Sequence, residues 1–398
     1  MFVHGWSGDK TSYGKVPELL KANGYGVTEL HLGEYTTGDD DLSIDDYAIA
    51  MEKAVNATPT VIGTPFDVVI HSTGALVVRA WLTRFYEAGK PSPVKKLIMA
   101  APANNGSLLA GLGKKLPWDW GNKLLEALEL GSPFTWNLNW EWLNKPEYSQ
   151  MPELELYHLQ GIRNDFDFPG FLDAIDDFFG INIPVFEEDG SDNTVRFCAS
   201  NLNVKGVKLA VGQGFKDGVV REINHIPTYV FKQRSHFGKE HGILAAITNQ
   251  RDEVFQLILT LLGDGPRPPA SSVDSYPKYA MLNVRVVDQL GNPCPDFIAR
   301  FYFGQPDEKD AIDIKHRYEN NEIDCYYLNI KELERISRFG FRIEPNRIRN
   351  ALYAASEKID IYYPAEGINF LEIGKTHFIE VVIEKSLHEN AFKFIKPK

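Results

Sequence analysis

The chain has 398 residues, of which 43% are hydrophobic and 24% are charged, and its 54 acidic and 42 basic residues give a formal net charge of −12. Its 24 Phe, 17 Tyr and 7 Trp exclude a disordered chain, and charges interrupt every apolar stretch well short of the roughly 20 residues of a membrane span. The acidic balance argues against a nucleic-acid partner. We therefore expect a soluble globular protein of two or three domains without an integral membrane segment.

The chain opens with Met-Phe-Val-His-Gly-Trp, which has neither the basic nor the apolar segment of a secretory signal peptide. Taken literally, this opening predicts a cytoplasmic protein. Export without a cleaved signal and a trimmed N-terminus are the alternatives that the sequence leaves open.

The first two-thirds of the chain alternate short apolar runs with helix-like stretches, the pattern of an α/β sheet. Strands are predicted at 67–71, 94–100 and 154–160, weaker strands at 195–198 and 228–231, and helices at 73–86 and 254–262.

The later part of the chain has a different pattern. Proline, glycine and serine dominate 263–278, which predicts an interdomain linker. We place a first, α/β domain at 1–264, the linker at 265–278 and an all-β, sandwich-like domain at 279–398. The elements predicted in that last domain are strands at 280–287, 297–303 and 377–383 and a helical piece at 331–338.

The junction between the predicted strand and helix at 70–74 reads Ile-His-Ser-Thr-Gly. A serine there lies on a sharp turn above the sheet, and the Thr73 N–H opens a helix, where unpaired donors favour negative charge. That arrangement exposes a nucleophile and stabilises the oxyanion that it creates. The alternative is an ordinary serine near a helix N-cap.

The surrounding motifs resemble the α/β-hydrolase family, and within it the lipase and acyl-hydrolase branch, over about 1–262. The strand ending in His4 and Gly5 is similar to that family's oxyanion strand, and 101–107 is similar to the loop that follows its next strand. The resemblance implies that Ser72 is the nucleophile and that the N–H groups of Trp6 and Thr73 form the oxyanion hole. One departure is Ile70, where the family has a small residue, so we expect local repacking.

The family order Ser, then Asp or Glu, then His implies an acid and a base further along the chain. The segment 189–195 resembles the family's acid loop and implies Asp192 as the acid, with Asp189 and Asp217 as alternatives. For the base, the resemblance favours His241, which precedes Gly-Ile-Leu. His236 is the second choice and His225 the third.

A tryptophan-rich insertion at about 108–150 follows the loop where lipase-like hydrolases carry lids and caps. It predicts an apolar roof over Ser72, either a mobile lid or a helical cap packed on the sheet. A second insertion at 162–190 is expected to complete it. The tryptophans of the first insertion are Trp118, Trp120, Trp136, Trp140 and Trp142.

Cofactors and metals have little support in the sequence. There is no phosphate-cradling glycine loop, no dinucleotide fingerprint and no tight spacing of metal ligands. The acidic run 39–41 is better explained as a solvated loop than as a calcium site. The expected ester chemistry requires no cofactor.

The resemblance therefore implies a serine carboxylic-ester hydrolase that acts on a hydrophobic, lipid-like ester through Ser72, Asp192 and His241. A phospholipase, thioesterase, amidase or acyltransferase would use the same residues. A non-catalytic binding protein on a hydrolase scaffold is the alternative from another class. The expected partners are a small-molecule or lipid ester substrate and, for the C-terminal domain, a lipid surface or a protein; a purely stabilising appendage is the other interpretation.

Overall fold

The structure is a computed structural model, and it describes most of the chain. The described residues are 1–4, 10–30, 42–59, 61–108, 110, 122–164, 188–210, 217–295, 297–304, 311–319, 322–330, 333–345, 361–364 and 369–383.

The chain divides into two compact units. The first contains Met1–Asn203 and Ile223–Pro277, and the second contains Val204–Glu222 and Lys278–Lys398. The division at Pro277 falls within the predicted linker. The hairpin segment Val204–Glu222, which the sequence analysis assigned to the first domain, belongs to the second unit because it pairs with strands of that unit.

The first unit is built on a six-stranded, wholly parallel sheet with strand order β2-β1-β3-β4-β5-β8. The fold is therefore the α/β class that the sequence predicts, with a β-rich second unit. The strands of this sheet are β1 Phe2–Val3, β2 Glu29–Leu30, β3 Phe66–His71, β4 Val94–Ala100, β5 Glu155–Gly161 and β8 Thr228–Phe231.

Helices flank this sheet. The described helices are α1 Val16–Ala22, α2 Ile44–Ala57, α3 Gly74–Phe85, α4 Asn122–Leu128, α5 Pro133–Asn144, α6 Phe197–Ser200 and α7 Glu253–Leu262. Helix α7 buries Val254, Ile258 and Leu261 against the core, the near-helical spacing from which it was predicted. Both predicted helices are confirmed.

The weaker strand predicted at 195–198 is wrong, since the chain forms helix α6 there. The cause is local: the carboxylate of Asp192 accepts the backbone N–H groups of Thr194 and Val195, which would otherwise pair with a neighbouring strand. The other weak candidate, at 228–231, is strand β8.

The carboxyl ends of the parallel strands meet at one edge of the sheet. His71 ends β3, Ala100 ends β4, Gly161 ends β5 and Phe231 ends β8. Loops that leave this edge converge, which is why open α/β sheets carry their sites there. Ser72 and the loops that hold the predicted acid and base all leave from this edge.

The second unit contains two sheets. One is six-stranded with order β11-β12-β9-β15-β6-β7, and the other is antiparallel with order β10-β13-β14. Phe301 of the smaller sheet packs edge-to-face on Tyr326 of the larger, with ring centroids 4.9 Å apart. The strands are β6 Lys205–Ala210, β7 Val219–Glu222, β9 Tyr279–Asp288, β10 Phe297–Phe303, β11 Ile314–Glu319, β12 Ile323–Asn329, β13 Phe339–Pro345, β14 Ile361–Pro364 and β15 Thr376–Ile383.

The strands predicted at 280–287, 297–303 and 377–383 are confirmed. The helical piece predicted at 331–338 is a 3-10 helix at Leu333–Arg338. Among the helices that the structure describes, none has the length and apolar character needed to cross a bilayer.

The predicted linker lies against strand β8 of its own unit. Ser271 donates its backbone N–H to the Thr228 carbonyl at 2.9 Å, and its hydroxyl accepts the Val230 N–H at 3.0 Å. The hydroxyl of Tyr229 donates to the Pro268 carbonyl at 3.0 Å. The segment is therefore fixed by hydrogen bonds up to Ser271.

Gly74 supports a stability prediction. A Cβ atom there would lie 2.5 Å from the Val3 carbonyl oxygen, because helix α3 starts against strand β1. Gly74→Ala forces backbone to move, so we expect a loss of about 1–3 kcal/mol in the free energy of unfolding, measured by denaturant titration. The control is Gly26→Ala, where nothing lies within 4 Å of the added Cβ. Equal stabilities of the two variants would contradict the close packing.

Candidate active site

Ser72 lies on the turn that joins strand β3 to helix α3. Its φ of 55° puts it in the left-handed region, which residues other than glycine adopt rarely. The strained backbone is held by hydrogen bonds on both sides, from the Ser72 N–H to the Ala100 carbonyl at 3.2 Å and from the Ala103 N–H to the Ser72 carbonyl at 3.3 Å. This is the backbone geometry expected of a nucleophile on a sharp strand-to-helix turn.

The small residue that this turn requires is Gly74, which contacts the backbone of Val3. Ile70, the departure noted in the sequence, is a fully buried core residue of β3 whose register partners are Val3 and Met99. The branched side chain is therefore accommodated within the sheet, and Ser72 still reaches the left-handed conformation.

Asp192 is a fully buried carboxylate with four hydrogen-bond donors. Its Oδ1 accepts the backbone N–H groups of Thr194 at 3.1 Å and Val195 at 2.8 Å. Its Oδ2 accepts the side-chain amide of Gln160 at 2.7 Å and faces His236 Nδ1 at 2.8 Å. Four donors match the roughly four acceptor sites of an ionised carboxylate, so Asp192 fits its site as an anion.

Gln160 is a site residue that the sequence reasoning missed. It lies near the carboxyl end of β5 and is fully buried, and its Nε2 also donates to the Gly161 carbonyl at 3.0 Å. Because a carboxylate only accepts hydrogen bonds, the amide nitrogen must face Asp192. The strand also contains Glu155 and His158, so a polar residue at this position gave no distinct sequence signal.

His236 lies between Asp192 and Ser72. Its Nδ1 is 2.8 Å from Asp192 Oδ2 and its Nε2 is 3.0 Å from Ser72 Oγ. An ionised Asp192 requires the proton on Nδ1, which leaves Nε2 as the acceptor for the Ser72 hydroxyl. The imidazole is thus oriented to take a proton from Ser72.

His236 occupies the position that the sequence analysis expected for His241. His241 lies on the same loop, but its side chain is 29% exposed and its Nε2 is 4.0 Å from Glu240 Oε2. Its main-chain carbonyl instead accepts the Ser235 N–H at 2.9 Å, and Ile243 N–H donates to the Ser235 carbonyl. These bonds close the loop so that His236 faces inward.

The alternative residues of the sequence analysis lie elsewhere. His225 Nε2 is 2.9 Å from the Ser149 carbonyl oxygen. Asp189 Oδ1 faces Asn164 Nδ2 at 3.5 Å, and Asp217 is exposed. The structure therefore brings together Ser72, Asp192 and His236.

Of the two expected oxyanion donors, the structure describes Thr73. Thr73 opens helix α3 directly after Ser72, and its N–H donates to no atom of the described residues. An unpaired donor at a helix N-terminus suits a developing negative charge. Trp6 lies outside the described residues.

A buried arginine anchors the helical cap to the site. Arg79 of α3 donates from Nη1 to Asn104 Oδ1 at 3.2 Å and from Nη2 to Asn139 Oδ1 at 2.9 Å, and its guanidinium lies 4.5 Å from the ring centroid of Trp142. Burial lowers the pKa of Arg79 to about 9. Asn139 also donates to Asn105 Oδ1 at 3.0 Å.

The same network reaches the loop that carries Asp192. Asn105 donates to the carbonyls of Ala199 and Asn201, and Ser107 Oγ donates to the Thr194 carbonyl at 2.8 Å. The loop at 101–107 therefore bridges the cap helix and the acid loop.

The described part of the tryptophan-rich insertion is packed. Trp136 and Trp142 are fully buried, Trp136 stacks on Trp140, and Trp142 stacks on Tyr148. Helix α5 is thus packed on helix α3, where Trp142 Nε1 donates to Thr83 Oγ1 at 2.9 Å. Trp118 and Trp120 lie outside the described residues, as does most of 162–190.

Across the described parts of the chain, no group of three or more His, Cys, Asp or Glu side chains is arranged to hold a metal ion. The acidic run 39–41 lies outside them.

The parallel sheet, the left-handed serine between β3 and α3 and the loops at the carboxyl edge define an α/β-hydrolase fold. Phospholipase PlaB from Legionella pneumophila, in complex with thio-NAD, matches 100% of this chain and 96% of its own, with a TM-score of 0.77 and 24% sequence identity. A second PlaB structure matches 99% and 95%, with a TM-score of 0.76 and 24% identity. No family model and no curated protein matches the chain. At this identity the likeness establishes the fold.

The buried network supports a second stability prediction. Asn139→Leu removes the acceptor of Arg79 Nη2 and leaves a buried guanidinium with an unmet donor, so we expect a loss of about 2–4 kcal/mol in the free energy of unfolding. Asn137→Leu is the matched control, because Asn137 is exposed on the same helix. Denaturant titration measures the free energy of unfolding of both variants. A cost for Asn139→Leu no larger than that for Asn137→Leu would show that the network contributes little.

Proposed function

We propose that the chain hydrolyses carboxylic esters, with Ser72 as the nucleophile, His236 as the general base and Asp192 as the acid that orients it. The observation that carries the proposal is the unbroken hydrogen-bond chain from Ser72 Oγ to His236 Nε2 at 3.0 Å and from His236 Nδ1 to Asp192 Oδ2 at 2.8 Å. The left-handed turn at Ser72 supports it, because that strain positions a hydroxyl for attack.

In the first half of the reaction, Ser72 Oγ attacks the ester carbonyl carbon while its proton moves to His236 Nε2. Asp192 stabilises the imidazolium that forms. The Thr73 N–H stabilises the oxyanion, and the family resemblance adds the Trp6 N–H. His236 then gives the proton to the leaving alcohol, and an acyl group remains on Ser72.

In the second half, His236 takes a proton from a water molecule, which attacks the acyl carbon. Collapse of the second oxyanion breaks the bond to Ser72, and the proton on His236 returns to the serine oxygen. The acid is released and the site is restored. The ester chemistry uses only groups of the chain and water.

For the substrate, we propose a lipid-like ester, with the acyl ester of a glycerophospholipid as the first choice. The tryptophan-rich insertion that follows the loop at 101–107 supports an apolar acyl group. The likeness in fold over the whole chain to a protein named as a phospholipase supports the glycerophospholipid. A thioester, an amide or an acyl acceptor other than water would use the same chemistry.

The test is hydrolysis of p-nitrophenyl esters of increasing acyl length and of phospholipid vesicles, with fatty-acid release measured for wild type, Ser72→Ala, His236→Ala and His241→Ala. We expect activity that rises with acyl length. Ser72→Ala and His236→Ala should each lose roughly 10³-fold or more, because each removes a group that acts in the transition state. His241→Ala is the matched control and should stay within about threefold of wild type.

Labelling of Ser72 by a serine-directed phosphonate separates the alternatives. Labelling without ester hydrolysis would indicate a different acyl substrate. No labelling and no hydrolysis by folded protein would indicate a binding protein on a hydrolase scaffold. Loss of activity in His241→Ala with full activity in His236→Ala would overturn the assignment of the base.

Gln160 gives a finer test of the same site. Gln160→Met removes the 2.7 Å hydrogen bond to the oxygen of Asp192 that faces His236, so we expect kcat/KM to fall roughly tenfold. Because the buried carboxylate of Asp192 then lacks one of its donors, we also expect a loss of about 1–3 kcal/mol in the free energy of unfolding, so kcat/KM is measured on protein shown to be folded. Gln150→Met, at an exposed position, is the control. An unchanged kcat/KM would mean that the backbone donors alone hold Asp192.

A further inference from the structure

We propose that His71 is a positioning residue that fixes the main chain of His236 by donating its Nε2–H to the His236 carbonyl oxygen. The proposal rests on the proposed function, in which His236 is the base. The two atoms are 3.1 Å apart, and both residues are only 2% exposed. His71 is the residue directly before Ser72.

The main chain of His236 is held at both of its polar groups. Its N–H donates to the Asp192 carbonyl at 3.1 Å, and its carbonyl accepts from His71. The first bond ties the backbone of the base to the residue that orients its ring. The second ties it to the strand that carries the nucleophile, so the distance between Ser72 Oγ and His236 Nε2 depends on His71.

Aromatic packing reinforces this arrangement. The rings of His71 and His236 are 4.8 Å apart between centroids, and Phe237 contacts both edge-on, at 5.4 Å from His71 and 4.3 Å from His236. His71 therefore lies against both the ring and the backbone of the base. Water is excluded from the bond between them, which strengthens it relative to an exposed bond.

The protonation state of His71 is determined by its partner. A carbonyl oxygen only accepts, so Nε2 carries the proton. Burial lowers the pKa of His71 well below the ordinary range, and the hydrogen bond to the His236 carbonyl raises it by less, so His71 is neutral. A neutral donor holds the loop without repelling the positive charge that His236 acquires when it accepts the serine proton.

Two substitutions of similar length separate the hydrogen bond from simple packing. His71→Gln keeps an N–H donor near the position of the imidazole Nε2, whereas His71→Met fills the space without a donor. We expect His71→Met to slow phosphonate labelling of Ser72 and to lower kcat by roughly tenfold to a hundredfold, with KM within about twofold, because the base is misplaced rather than the substrate. His71→Gln should recover most of the loss.

The control is His225→Met, which removes another Nε2 contact with a backbone carbonyl, that of Ser149 at 2.9 Å. Labelling at the wild-type rate is expected for this variant. Equal rates for His71→Met and wild type, or equal losses for His71→Met and His71→Gln in folded protein, would overturn the proposal.

A spectroscopic measurement does not depend on activity. Nitrogen-15 NMR of histidine-labelled wild type should show His71 as the neutral tautomer with its proton on Nε2. The Nδ1–H tautomer or a charged ring would overturn the proposal. Because this measurement uses the wild type, it holds even if both variants fail to fold. The downfield proton of His236 Nδ1–H should persist in His71→Gln and be lost in His71→Met. If wild type lacks ester hydrolysis but this signal still depends on the donor at position 71, the positioning role stands and the proposed function fails.

Discussion

The hydrogen bond between His236 Nδ1 and Asp192 Oδ2 joins two loops that are 44 residues apart in sequence, and the geometry of the whole site depends on it. A fully buried carboxylate is stable only where donors surround it. Asp192 has three such donors besides His236, from the Gln160 side chain and from the Thr194 and Val195 backbone. With those three in place the carboxylate is fixed, and one of its oxygens is aimed at the imidazole.

The left-handed turn at Ser72 depends on contacts outside the site. Gly74 allows α3 to start against β1, and the hydrogen bonds of Ser72 to Ala100 and Ala103 keep the turn closed. The parallel sheet therefore keeps Ser72 in its left-handed conformation, with its hydroxyl 3.0 Å from His236 Nε2. A residue of β3, His71, also contacts the loop of the base, so a single strand end influences both the nucleophile and its partner.

Sequence reasoning reached the α/β sheet, the turn at Ser72 and the β-rich second unit because each leaves a local pattern: apolar runs, a strand-to-helix junction and period-two alternation. It favoured His241 over His236, which lies five residues earlier on the same loop and is the residue placed between Asp192 and Ser72. That choice depends on the pairing of Ser235 with His241 and Ile243, a contact made only when the loop is folded. Gln160 left almost no local signal, since its partner lies 32 residues away.

The assignment of 204–222 has a consequence for the second unit. Strand β6 pairs in parallel with β15, and it buries Val207 and Leu209 completely. In sequence, this hairpin lies between the loop of Asp192 and the strand that leads to His236. A cut at the predicted linker would leave β6 without β15 and expose both apolar side chains, at a cost of about 1.5–3 kcal/mol for each. The second unit therefore includes a segment that lies in sequence between Asp192 and His236, so a cut at the predicted linker would not release it as a separate piece of chain.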